Sequence, residues 1–180
     1  MQLSFEDRSY LVTGGGSGIG KAVAAGLAAA GADVLIAGRD ADRLGKVAAE
    51  LGGTVRYLPT DVTDEDSVIA AVDSAVAKTG RLHGVVHCAG GSQTIGPITQ
   101  IDSELWRRTV DLNVNGTMYV LKHAGRALVR GGGGSFVGIS SIAASNTHRW
   151  FGAYGPTKSA LDHMMQLAAD ELGEIGRAHV

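Results

Sequence analysis

Short apolar runs alternate along the chain with longer stretches in which apolar positions recur every three or four residues. Ser9–Val12 is the first such run and predicts a strand. The Ala-rich stretch Gly18–Ala30 predicts a helix, and Asp33–Ala37 a second strand. In Asp40–Leu51, the residues Leu44, Val47, Ala48 and Leu51 share one face, which predicts a second helix. Thr54–Leu58 is a third strand. Thr63 is placed to cap a helix over Asp64–Lys78, whose acidic first turn complements the helix dipole. Leu82–His87 predicts a fourth strand, and helical periodicity runs from about Ser103 to Arg130. Gly131–Gly134 is a turn into a fifth strand, Ser135–Ile139, and a last helix is expected from about Trp150 to Leu172.

Strands alternating with helices imply βαβ crossovers, and hence a parallel sheet covered by helices on both faces. The expected class is α/β, a doubly wound sheet in one domain over residues 1–180. Such sheets bind ligands outside the carboxyl ends of their strands. The residues just after each strand are therefore where chemistry is to be sought.

Composition narrows the field. The 180 residues carry 44% hydrophobic residues and a net charge of −2, which gives no basic footprint for nucleic acid or an anionic membrane. The opening MQLSFEDRSY has acids where a signal peptide is apolar, and Ala22–Ala32 is too short to span a bilayer. A cytoplasmic protein with no membrane partner is expected. The single cysteine, Cys88, excludes an internal disulfide and suits a reducing compartment. Six histidines lack metal-ligand spacing, so no metal site is expected.

After the first strand comes TGGGSGIG, Thr13–Gly20. Glycines at a strand-to-helix turn let the backbone approach a ligand closely. The free N–H groups of the following helix then face an anion such as a pyrophosphate. After the fifth strand comes GISSIAA, and thirteen residues beyond Ser141 lies Tyr154, with Lys158 four further on. Four helical residues turn through about 400°, so the two side chains share a face. A free tyrosine loses its proton near pH ~10, and a neighbouring ammonium lowers that value. A general acid or base works best when its pKa lies near the working pH.

The pattern TGxxxGxG, the HCAG of His87–Gly90 and the Ser141–Tyr154–Lys158 set together resemble the short-chain dehydrogenase/reductase family of classical type. The resemblance runs from about Leu3 to Leu172. It implies a Rossmann-like fold, a nicotinamide dinucleotide, and hydride transfer between that cofactor and an alcohol or carbonyl substrate. Tyr154 is then the general acid/base, and Ser141 a donor to the substrate oxygen. Lys158 tunes Tyr154 and holds the ribose, and Asn113, in DLNVNG, completes the set through a water. The resemblance also places Thr13, Gly14, Ser17, Gly18, Ile19 and Gly20 around the cofactor, with Asp61 and Val62 at the adenine. Ala89 and Gly90 lie against it, as do Tyr154 and Lys158.

At the end of the second strand, AGRD puts Arg39 where the family pairs the 2′-phosphate of NADP. NADP is therefore expected, and Asp40 keeps NAD open. His87 and Cys88 depart from the family's usual NNAG; His87 reads as support for the sheet, and neither as catalytic. An enoyl-type reductase on the same fold is a further rival, disfavoured because those usually alter the serine or the Tyr–Lys spacing. His148, Arg149, Trp150 and Phe151 are candidates for one wall of the substrate site. Relatives commonly form dimers or tetramers through the helices after strands four and five, which implies a homo-oligomer.

Two departures bear on function. The closing ELGEIGRAHV does not resemble the family's last strands. A chain truncated there is expected, with the fifth strand as a bare edge. A second reading follows, a catalytically weak nucleotide-binding remnant or interaction protein. Pro156 lies between Tyr154 and Lys158, so the last helix is expected either to start near Tyr154 or to bend there.

Overall fold

The computed structural model describes residues 4–173 and the backbone of residues 177–179. Its strands are β1 (Ser9–Thr13), β2 (Asp33–Gly38), β3 (Val55–Pro59), β4 (Gly84–His87), β5 (Ser135–Gly138) and β6 (Arg177–His179). They form one parallel sheet in the order β3-β2-β1-β4-β5-β6. The helices are α1 (Gly18–Ala29), α2 (Ala41–Leu51), α3 (Glu65–Ala77), α4 (Ser103–Val110), α5 (Gly116–Arg130) and α6 (Tyr154–Leu172). The doubly wound α/β arrangement expected from the alternating pattern, Rossmann-like as the family resemblance implies, is the one observed.

Side-chain alternation within the strands decides which helices cover which face. Leu11, Leu35, Val85 and Phe136 point to one side, into a core with Val68 and Val72 of α3, Leu128 of α5, and Leu161 and Met165 of α6. Val12, Val34 and Ile36 point the other way, against Ala24 of α1 and Leu44 and Val47 of α2. Both faces are buried, so these strands read as unbroken apolar runs.

Four expectations change. The fifth strand is not the edge of the sheet: β6 lies parallel to it, with Ser135 opposite Arg177 and Val137 opposite His179. Three residues are too few to carry a strand period, which is why RAHV gave no signal. The cap of α3 is Asp64, whose Oδ1 accepts from Asp66 N at 3.1 Å, and not Thr63. Thr63 instead donates both its N–H and its hydroxyl to Asp61 Oδ1, closing a tighter turn one residue earlier. The helical stretch from Ser103 to Arg130 is divided by one π turn, Asp111–Asn115. Finally, α6 begins at Tyr154 rather than near Trp150. Pro156 therefore sits in its first turn, where the missing N–H has no helical partner to lose. Upstream, Trp150 holds a left-handed backbone, φ 74°, which no helix tolerates.

Candidate active site

A cleft of about 400 Å³ opens at the carboxyl ends of β1 to β4. The loop after β1 forms its floor. Gly14, at φ 66°, crosses so close to the end of β4 that an added Cβ would lie 2.9 Å from Ala89 N. Ser17 precedes α1 with an extended backbone and makes no side-chain cap. The first N–H groups of α1 are thus left for a ligand, and no acid stands in the first turn to compete for them. Gly14, Ser17, Gly18, Ile19 and Gly20 all line this cleft. Thr13 does not: it is buried beneath, where its hydroxyl accepts from Ala89 N at 3.2 Å.

At one end of the cleft lie Gly38, Arg39, Asp40 and Arg43. Asp40 is committed to its own helix. Its Oδ1 accepts from Arg43 N at 2.9 Å and its Oδ2 pairs with the Arg43 guanidinium at 3.2 Å. Arg39 has no such carboxylate partner among the described ion pairs. Two guanidiniums, Arg39 and Arg43, stand at this end, where the Asp40 carboxylate is spent on its cap and Asp61 lines the adjoining stretch of the cleft. Arg43 was not singled out from the sequence. The signal for it was there: an N-cap aspartate turns the residue three positions later toward the same end of the helix. Asp61 and Val62 also line the cleft, as do Ala89 and Gly90.

Tyr154 and Lys158, like Ser141 and Asn113, do not line this cleft; they lie beyond its Gly90 and Ile139 end. Lys158 is buried, and its Nζ donates to the carbonyl of Ile139, at the end of β5, at 2.6 Å. Gly90 makes room for it: a Cβ there would lie 3.2 Å from Lys158 Nζ and 3.0 Å from Asn113 Oδ1. Lys158 Nζ is also 5.8 Å from the centre of the Tyr154 ring. Burial pushes the lysine below its usual pKa, opposed by the Asp162 carboxylate one turn on and by Cys88. Burial likewise raises the Cys88 thiol to about 11, which leaves it unreactive at neutral pH. Ser141 is half-buried just past β5, where its Oγ accepts from Ala143 N at 3.2 Å, leaving its own proton free to donate. Ser159 of α6 donates to Ala144 O at 2.5 Å, which pins the Ser141 segment to the helix of Tyr154 and Lys158.

Asn113 occupies the π turn and is buried. Its Oδ1 accepts from Gly91 N at 2.9 Å, and its Nδ2 donates to Gly91 O at 2.8 Å and to Thr157 Oγ1 at 2.9 Å. Asn113 thus clamps the segment after β4 to the first turn of α6. His87 is also fully buried, between Thr13 Oγ1 at 2.8 Å and Thr117 Oγ1 at 3.1 Å. Beside Tyr154, the ring of Phe151 lies 6.0 Å away. His148, Arg149 and Trp150 border a neighbouring hollow of about 460 Å³ with Gly96, Pro97 and Ile98.

This arrangement is a doubly wound α/β domain with a glycine-floored cleft at its strand ends and Lys158 packed against the Gly90 and Ile139 end of that cleft. The match to the family described as short chain dehydrogenase spans residues 8–177, and the chain belongs to that family. A short-chain type dehydrogenase/reductase from Mycobacterium ulcerans is 73% identical, with a TM-score of 0.96 over 98% of this chain and 66% of that one. The cis-4-hydroxycyclohexanecarboxylate dehydrogenase of Sinomonas cyclohexanicum is 34% identical over 92% of this chain and 68% of its own length. A 7α-hydroxysteroid dehydrogenase complexed with NADH and 7-oxo glycochenodeoxycholic acid is 30% identical, with a TM-score of 0.91, over 99% of this chain and 70% of that one. A short chain dehydrogenase from Shigella flexneri complexed with NADP is 29% identical, with a TM-score of 0.92, over 99% and 77%. The chain spans about two thirds of the length of the Sinomonas and Mycobacterium relatives. Among the described residues, no helix is long and apolar enough to cross a membrane.

Proposed function

We propose that this chain carries the cofactor-binding and proton-transfer centre of an NADP-preferring oxidoreductase acting on a secondary alcohol or the matching ketone. The observation that carries this reading is the placement of Lys158, held between the Ile139 carbonyl and Gly90 at the cleft, with the Tyr154 ring 5.8 Å from its ammonium. The cleft residues fit a nicotinamide dinucleotide. The floor at Gly14 lies flush against the end of β4, and the α1 N–H groups are open to a pyrophosphate. When bound, such a cofactor supplies or accepts the hydride.

The chain's own groups do the rest. Ser141 donates to the substrate oxygen and fixes its position. Tyr154 gives its phenol proton to that oxygen during reduction, or takes it back during oxidation. The Lys158 ammonium stabilises the negative charge that develops on the phenol oxygen. Asn113 keeps the segment after β4 and the start of α6 in register. Arg39 and Arg43 hold the 2′-phosphate, with Asp40 withdrawn into its capping bond. The two relatives named for ring hydroxyl groups make alicyclic alcohols the first substrates to try.

The face between α5 and α6 carries an apolar hollow of about 640 Å³ bordered by Met118, Leu121, Met164 and Leu167, with Arg126 and Glu171 also lining it. A second copy of the chain covers it, giving a homo-oligomer. The lone thiol of Cys88 suits the cytoplasm.

The test is a fluorescence titration with NADPH and NADH alongside turnover of a panel of alicyclic alcohols and ketones. Tight NADPH binding with turnover is expected. Tyr154→Phe is expected to lower kcat by about 10²–10⁴-fold while NADPH still binds. Binding without turnover across the panel would overturn the enzymatic reading in favour of a nucleotide-binding module.

A further inference from the structure

His87 stands where the family usually has asparagine, and the proton positions around it follow from its neighbours. Thr117 Oγ1 donates its single proton to the carbonyl of Asn113 at 2.6 Å. Toward His87 it can therefore only accept, so Nε2 carries the ring proton and donates across 3.1 Å. Burial drives the imidazole neutral, leaving Nδ1 bare. Nδ1 then accepts from the Thr13 hydroxyl at 2.8 Å, and Thr13 Oγ1 in turn accepts from Ala89 N at 3.2 Å.

The result is one directed chain from Ala89 N through Thr13, His87 and Thr117 to the carbonyl of Asn113. Its ends matter. Ala89 lines the cleft, and the Asn113 side chain grips Gly91 on both its N–H and its carbonyl. Residues 87–91 are thereby held from below by the chain and from the far end by Asn113. Gly90, against which Lys158 rests, lies in the middle of this span.

We infer that His87 is a positioning residue for the active site, coupling the glycine loop at Thr13 to the π turn at Asn113 through a fixed Nε2–H tautomer. The inference rests on the oxidoreductase reading for its kinetic consequences, and on geometry alone for the tautomer. An asparagine at this position reaches as far as Nδ1 and stops one bond short of Nε2. It keeps the tie to Thr13 and loses the tie to Thr117. A glutamine reaches the Nε2 position and restores the tie to Thr117, but it has no polar atom at the Nδ1 position and gives up the tie to Thr13.

The experiment compares His87→Asn, His87→Gln, Thr117→Val and the His87→Asn/Thr117→Val double variant. The readouts are kcat, NADPH affinity and exchange of the Gly91 amide, together with a long-range ¹H–¹⁵N spectrum of the parent imidazoles. The spectrum is expected to place the His87 proton on Nε2. His87→Asn and Thr117→Val are each expected to lower kcat by about tenfold, the cost of small misplacement, with NADPH affinity within about twofold. The double variant loses no more than either single, the Gly91 amide exchanges faster in all three, and His87→Gln, which breaks the coupling at Thr13 instead, is expected to lower kcat by a similar factor. A proton on Nδ1, losses that multiply in the double variant, or a parent-like His87→Asn overturns the proposal. If the parent turns over nothing, the oxidoreductase reading fails, and the tautomer and Gly91 exchange still decide this one. If His87→Asn does not fold, Thr117→Val and the parent spectrum decide it alone.

Discussion

Acidification probes His87 most directly. The ring is completely buried, and its pKa is lowered from 6.5 to about 3, first by burial and second by the nearby Lys158 charge. The folded protein thus binds this proton far less readily than the unfolded chain. The stabilising contribution is complete above about pH 6.5 and is lost progressively as pH falls toward 3. With those two values, linkage gives a loss of about 2 kcal/mol at pH 5 and about 3 kcal/mol at pH 4. That is a large share of the stability of an ordinary domain, roughly 5–15 kcal/mol. The assay is urea unfolding at pH 7 and pH 5 for the parent and for His87→Asn, which has nothing to titrate there. His83, also lowered by burial, and the carboxylates are common to both proteins and cancel in the difference. The variant starts less stable at pH 7 because it lacks the Thr117 tie. Between pH 7 and pH 5 the parent is expected to lose about 2 kcal/mol more than the variant. A difference between the two that stays constant to within about 0.5 kcal/mol would refute a buried neutral histidine.

Three other outcomes follow from the geometry. Arg43→Gln is expected to weaken NADPH by roughly 10- to 150-fold and leave NADH nearly unchanged, since a lost charge-assisted hydrogen bond costs about 1.5–3 kcal/mol; equal weakening of both in parallel titrations would remove Arg43 from the 2′ position. Gly14→Ala combines a left-handed φ of 66° with a Cβ 2.9 Å from Ala89 N. It should lower thermal stability and abolish saturable NADPH binding, and a parent-like affinity would contradict the tight floor. Pro156→Ala should leave kcat unchanged and cost up to about 1 kcal/mol by loosening the unfolded chain. A gain in kcat would instead reveal strain at the start of α6.

Much of this was legible because it is local. The glycine loop, the first five strands and the Tyr154–Lys158 spacing are written in consecutive residues, and those strands formed within a few residues of where the pattern put them. The start of α6 was half legible. Pro156 admitted two solutions, and the choice was made by Trp150, whose left-handed backbone no propensity announces. Arg43 was missed because its place depends on Asp40 spending its carboxylate on a cap. Thr117 was missed because a threonine bonding back to the carbonyl four residues earlier reads as any other helix position, and nothing in the local pattern announces that His87 lies against it. β6 was missed because its partner is β5, some forty residues earlier, and three residues carry no period of their own. His87 was read as sheet support. The structure adds its second partner, which lies 30 residues away on another element.

The strand order has a consequence for how the chain is made. β1 sits inside the sheet, between β2 and β4. Its partner Gly84 lies far downstream of Tyr10. At roughly 5–20 residues per second, the ribosome delivers β4 several seconds after β1 has emerged. Through that interval one apolar edge of β1 stands open, and such edges invite pairing with other chains. Non-local parallel pairing is also slow to form. The nascent protein is therefore most exposed to chaperones and to aggregation before residue 84 leaves the exit tunnel, when the floor of the cleft exists but its far wall has yet to arrive.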